Sequence, residues 1–277
     1  MTEVPPAGHS RLRSSSKFLN HPGLREWCAR DMLRKNGPDQ ASPAGGYQMI
    51  RILEDELQGD ARVEDLLAAE RRVHPGLDAW LDRAYVPTFT AADLQDLPET
   101  SLGKIFYDYI VERNFELDFH PPMPKTMYAL TRLMRARSHD IEHILLGAGF
   151  DYLGELVPAY YCLTQLHKEF SPELAGELSQ LYMLISLRYT VRTVLHYPET
   201  WPTAMECIAR GIRAGEQSDF TYMANFEPYL HLSVPEAREA LGIRGVADID
   251  TEPMSLKWGD ASHRALVEAS ARRAAKG

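Results

Sequence analysis

Cysteine is scarce in this chain: Cys28, Cys162 and Cys207 lie far apart and form no C-x-x-C pair. That spacing argues against a thiolate zinc site and a disulfide framework, and it fits a reducing compartment. Basic residues are not in surplus either. Lys plus Arg number 30 against 39 Asp plus Glu, a formal charge of -9, so the footprint of sequence-independent nucleic-acid binding is missing and no nucleic-acid partner is expected. No apolar run approaches the ~18 residues that span a bilayer. The best one, "LYMLISL", is short and broken by Ser186. There is no G-x-G-x-x-G after a strand pattern, no G-K-S/T and no G-x-S-x-G, so nucleotide cofactors and a serine nucleophile elbow have no support.

What is present is helix. The 277 residues, 44% hydrophobic and 25% charged, suffice for a sizeable core. Met49, Ile50, Leu53 and Leu57 recur at helical spacing, and "VEDLLAAERRV" repeats the habit. Strand alternation is almost absent. Thr90 reads as an N-cap, and Pro98 as the opening of a helix carrying Leu102, Ile105, Phe106 and Tyr109 on one side. A further helix is expected to run from the proline of "MPKTMYALTRLMRARSHDIEHILLG" to its terminal glycine. Another should start at Ser171-Pro172 and present Leu174, Leu178, Leu181, Tyr182 and Ile185 as a stripe. The expected fold class is all-α. Residues 1–18, without a continuous apolar segment, read as a short disordered tail, and 36–46 as a loop. Residues 19–87 form an N-terminal helical region, 88–245 the core, and 246–277 a C-terminal extension.

The stretch "RSHDIEHILLGAGFDYLGELVPAYY" gathers the chemistry. At ~100° per residue, Asp140 lies about 100° and His143 about 40° from His139, so all three share one arc. Glu142, at about 300°, is expected to face solvent. Gly147 and Gly149 should stop the helix. A second helix can start near Gly154-Glu155, with Pro158 tolerated in its first turn, and fold Glu155 back toward the histidines. Two imidazoles and two carboxylates would then converge, a set acceptable to zinc, iron(II) and manganese(II). Three other readings compete. Histidines and acids can simply form surface pairs. A zinc protease of the H-E-x-x-H kind would need a glutamate where Asp140 stands, and a third ligand. A His-Asp phosphohydrolase would need His120 or His74 and Asp219 as additional ligands. His167, His196 and His231 are isolated and read as surface or interface histidines.

"HDIEHILLGAGFDYLGE" resembles the H-D-x-x-H-x11-E signature of the coenzyme Q biosynthesis protein 4 family. "LQDLPETSLGKIFYDYI" is similar to that family's upstream segment. The stretch from Trp201 to Ile243 resembles its C-terminal region, with Gly211, Gly215, Glu227, Arg238, Leu241 and Gly242 at about the expected places. The resemblance covers about 88–244, and it departs at Glu216 and Gln217, where the family usually has lysines. It implies an all-helical fold surrounding a hydrophobic cavity for an isoprenoid tail. It also implies a divalent metal, zinc or iron(II) before manganese(II), held by His139, Asp140, His143 and Glu155. The implied function is in ubiquinone synthesis: oxidative replacement of the C1 carboxyl of a prenylated hydroxybenzoate by hydroxyl, with a non-catalytic lipid-binding organiser of the pathway's enzymes as the alternative. Implied partners are the prenylated precursor or another isoprenoid lipid, other ubiquinone biosynthesis enzymes, the membrane surface, and a second copy of the chain. The implied location is cytoplasmic and peripheral on the inner membrane, or the matrix face of the mitochondrial inner membrane in a eukaryote.

Overall fold

The computed structural model describes residues 20–33, 35, 61–113, 123–136, 138–255 and 257. The helix expected around 47–57, the 1–18 tail, the 36–46 loop, His120 and the end of the C-terminal extension lie outside them. In chain order the helices are α1 (Pro22–Leu33), α2 (Ala61–Arg71), α3 (Pro75–Arg83), α4 (Ala91–Gln95), α5 (Leu102–Arg113), α6 (Met127–Ala136) and α7 (His139–Leu145). They continue with α8 (Leu156–Glu169), α9 (Pro172–Leu178), α10 (Gln180–His196), α11 (Trp201–Gln217), α12 (Val234–Leu241) and α13 (Glu252–Ser255). Among the described residues no strand forms, only the isolated bridges Ser101 to Ser233 and Ala148 to Ile249. The all-α expectation holds.

Helix α8 is the central element. Leu156, Val157, Ala159, Tyr161, Cys162, Leu163 and Leu166 are all buried, and each fully buried large apolar side chain stabilises by about 1.5–3 kcal/mol. Its main neighbour is α11. The two backbones approach so closely that a Cβ on Gly211 would stand 2.4 Å from the carbonyl oxygen of Val157, so only glycine fits there. Gln165, fully buried, completes the join: its amide donates to the Gly215 carbonyl at 3.0 Å, and its oxygen accepts from the Thr221 N–H at 2.7 Å.

Helix α2 stitches the N-terminal region to this core with two carboxylates. Glu64 accepts from the N–H groups of Met127 and Tyr128 at 3.0 and 2.8 Å, and Glu70 accepts from Ser171. Both therefore satisfy unpaired donors at helix N-termini, at the start of α6 and of α9, where the macrodipole favours negative charge.

Thr90 stands at the N-cap of α4, and its N–H donates to Asp93 at 2.7 Å. Three helix expectations are corrected. Pro98 opens a turn rather than a helix: the Ser101 N–H donates to the Pro98 carbonyl, and α5 starts at Leu102, where the N–H groups of Leu102 and Gly103 reach Leu232 and Leu230. Ile105 leaves the buried side of α5 and is 37% exposed, while Leu102, Phe106 and Ile110 line the core. The long helix expected up to Gly147 is two, α6 and α7, with Ser138 in a turn, where its hydroxyl donates to the Met134 carbonyl and competes with the helix ladder. The helix opening at Ser171 is likewise two, α9 and α10, parted at Ser179, whose hydroxyl bonds the His167 imidazole at 3.2 Å. Leu174, Leu178 and Tyr182 are buried as expected.

The three cysteines are free and buried. No helix among the described residues is long and apolar enough to cross a membrane.

Candidate metal centre

Helix α7 ends at Leu145, and Gly147 takes the left-handed conformation at φ 63°. The chain then turns through 148–155 and enters α8. This hairpin brings Glu155, at the N-cap of α8, opposite α7. His139 Nε2 stands 3.1 Å from Glu155 Oε2, His143 Nε2 stands 3.6 Å from the same oxygen, and the two Nε2 atoms are 3.3 Å apart. One ligand atom from each of the three residues falls within 4.8 Å of the others. His143 is fully buried, while His139 and Glu155 are partly open. The centre is therefore solvent-accessible from one side.

Both imidazoles are oriented. His143 Nδ1 donates to the Gly149 carbonyl at 2.8 Å, which leaves its Nε2 as the lone-pair nitrogen facing the cluster, the arrangement found behind metal-bound histidines. The Phe150 ring stacks on His143 with centroids 4.7 Å apart, and the His139 ring meets His143 edge-on at 4.8 Å. The turn that supplies Gly149 and Phe150 is fixed by Asp151. Its carboxylate accepts from the N–H groups of Leu153 and Gly154 at 3.1 Å and from the hydroxyls of Thr251 and Ser255. Thr251 and helix α13, the last among the described residues, thus brace the loop. Arg238 does the same for the end of α7, donating to the carbonyl of Leu145 at 2.8 Å, a cation at a helix C-terminus.

Charge is concentrated at the cluster. Burial pushes the His139 imidazole down, but the charge of Glu155 and its hydrogen bond outweigh this and lift His139 to about 9. Burial acts to raise the Glu155 carboxyl, yet His143 and His139 together hold it well below the usual carboxylate range. A protonated imidazole beside a carboxylate is a cation already in place, and a divalent ion can take over that role. The donor set of two nitrogens and one carboxylate oxygen suits zinc or iron(II), and manganese(II) is also acceptable.

The structure brings together three of the four sequence-derived site residues, His139, His143 and Glu155. Asp140 lies on the exposed side of α7, away from that cluster. The expectation for Glu142 is corrected: it is buried, and Arg135 donates to it at 2.5 Å. Helix α7 is enclosed on most sides, so the face that an amphipathic wheel assigns to solvent meets α6 and α8 instead. Arg135 is also buried; it donates to the Tyr222 carbonyl, reaches Cys162 Sγ at 3.2 Å and lies over the Tyr222 ring. Of the additional ligands a phosphohydrolase would need, the two among the described residues are used elsewhere. His74 caps α3 by accepting from the Leu77 N–H, and Asp219 pairs with Arg244 at 2.7 Å.

Sequence reasoning missed the Gly149 carbonyl, Phe150 and Asp151. The D-x-x-G spacing from Asp151 to Gly154 is the signal that could have found the turn, because aspartate side chains bond the backbone two or three residues on.

No protein-family model matches the chain, and no curated protein matches it. Among solved structures, it is similar to a crystal structure at 2.85 Å of a protein from Nostoc punctiforme PCC 73102 that is provisionally assigned to ubiquinone biosynthesis. The TM-score is 0.60 at 21% identity, over 81% of this chain and 98% of that one. The likeness establishes a shared all-helical fold.

Proposed function

We propose that this chain acts in ubiquinone biosynthesis, where His139, His143 and Glu155 hold a divalent metal and the site replaces the C1 carboxyl of a prenylated hydroxybenzoate by hydroxyl. The observation that carries the reading is the convergence of these three side chains, with His143 locked by Gly149, in a fold shared with the Nostoc protein. When bound, the metal supplies Lewis acidity toward a phenolate or dioxygen and stabilises charge as carbon dioxide leaves. The chain's own residues divide the remaining work. His143, fully buried and stacked on Phe150, presents its Nε2 from the closed side. Glu155 supplies the negative charge that makes the centre attractive to a cation, and His139, on the open side, would give up its Nε2 proton to let that nitrogen hold the metal. Asp140, exposed on the same helix, is kept in this reading as a partner of the approach to the site rather than one of the three converging donors.

Peripheral membrane association belongs to the same proposal. Met183, Leu187 and Val194 on α10 are 49%, 45% and 53% exposed and share one face, an apolar stripe suited to an interface and to delivery of an isoprenoid tail.

Complementation of a ubiquinone-deficient host lacking its own C1-processing activity tests the reading. Wild type should restore ubiquinone, and Glu155→Ala at matched expression should not. Full rescue by the variant would instead favour the organiser.

A further inference from the structure

Arg188 on α10 is 7% exposed, and among the described residues its ion pair is with Asp31 alone. Its Nε is buried without a hydrogen-bond acceptor. The carboxylate facing it, Asp31 Oδ2 on α1, is 3.4 Å away and is itself buried without a hydrogen bond. The other oxygen of Asp31 accepts from Arg192 at 3.3 Å, so one carboxylate serves two guanidinium groups. Arg135, also buried and also with an unpaired Nε, differs in its terminal nitrogens, which donate to Glu142, to the Tyr222 carbonyl and to Cys162. Removing a guanidinium from water without replacing its hydrogen bonds is costly, so Arg188 needs another acceptor.

The surroundings say what kind. The Arg188 Cζ lies over two aromatic rings, 4.3 Å from the Trp27 centroid and 5.1 Å from that of Tyr189. Cation–π contacts of this kind restrain the guanidinium while leaving its N–H groups to bond a partner. A guanidinium fork so restrained matches an oxyanion, carboxylate or phosphate, bidentately. An aromatic contact leads from the site toward the turn before the metal centre. Tyr189 meets Tyr152 edge-on at 5.7 Å, and Tyr152 belongs to the turn that leads to Glu155. The charge of Glu155 also reaches the Tyr189 phenol, which burial above all holds up at about 12.

We infer that Arg188 is a binding residue for the oxyanion group of the ligand that the His139, His143, Glu155 centre acts on, with Trp27 and Tyr189 restraining its guanidinium and Asp31 orienting it. The role given to the ligand rests on the function proposed above; the oxyanion chemistry rests on Arg188 and its neighbours.

Titration calorimetry on the full-length, metal-loaded protein tests this with 4-hydroxybenzoate and, separately, inorganic phosphate. Arg188→Gln should weaken binding about tenfold or more, the loss expected for a charge-assisted bidentate pair. Arg188→Lys, which keeps the charge but not the fork, should fall between. Weakening confined to 4-hydroxybenzoate assigns the subsite to a carboxylate, and weakening confined to phosphate assigns it to a phosphate. Unchanged affinity for both probes in Arg188→Gln, with circular dichroism and metal content as in wild type, would overturn the inference. So would a wild type that binds neither probe. Should Arg188→Gln fail to fold, Arg188→Lys decides: affinities equal to wild type overturn the inference. Glu155→Ala separates the two claims, because it should lose metal and biosynthetic rescue while Arg188 still binds the simple anions.

Discussion

Gly154 packs directly beneath the carbonyl of Gly149, so that a Cβ at position 154 would stand 2.0 Å from that oxygen. The same oxygen accepts the Nδ1 proton of His143. A backbone carbonyl cannot swing aside as a flexible side chain can, so Gly154→Ala must shift the acceptor that sets the His143 tautomer. The expected result is a loss of about 10- to 100-fold in metal affinity, the usual effect of disturbing the partner behind a metal-bound histidine. Competition with a chromogenic chelator measures it. Unchanged affinity would show that the Gly149 contact is incidental.

The buried pair of Arg135 and Glu142 should behave as structure rather than chemistry. Removing one member leaves an uncompensated buried charge, so Glu142→Leu should destabilise by about 3–5 kcal/mol. Replacing Arg135 by Met in the same protein should recover much of that loss. Urea unfolding of the single and double variants measures the coupling, and purely additive losses would contradict the pairing.

Metal binding and stability should respond to pH with opposite signs. In the metal-free protein Glu155 holds a proton on His139 up to about 9, and a metal must displace it. Apparent affinity should therefore rise by up to about tenfold per pH unit toward that value and level off above it. The folded pKa of His139 lies above its ordinary 6.5, so its contribution to metal-free stability is complete below 6.5 and is lost as pH rises through about 9. Glu155, held low, contributes above the ordinary carboxylate range and loses its contribution as pH falls through its folded value. Metal-free melting temperatures should thus decline between neutral pH and 9, while metal-loaded ones hold. A metal-free melting temperature that rises over that interval would contradict the ion pair.

Asp140 and Glu155 occupy different environments, and their variants should separate. Asp140→Asn should leave metal affinity within about tenfold of wild type, since its carboxylate is exposed and stands apart from the three donors. Glu155→Gln, by removing the one carboxylate in the cluster, should cost far more. Equal losses in the same chelator competition would place Asp140 among the ligands.

Much of this was legible in the sequence, for identifiable reasons. Helical periodicity and caps such as Thr90 are local signals, and they led to the all-α class and to the hairpin that returns Glu155 to the histidines. The breaks at Ser138 and at Ser179 were not legible. Each depends on a hydroxyl finding a bond, within its own turn for Ser138 and to the distant His167 for Ser179. Glu142 shows the limit of the helical wheel, which ranks faces of one helix and says nothing of how many neighbours enclose it. Arg188 carried no motif; its ion pair with Asp31 exists only once α1 and α10 are packed together.

The central claim is that His139, His143 and Glu155 form one metal-binding unit. Elemental analysis of purified protein, with circular dichroism alongside, tests it most directly. Wild type should carry about one divalent ion per chain, and His143→Ala should lose it while keeping its helical spectrum. Equal metal content in the wild type and the folded variant would contradict it.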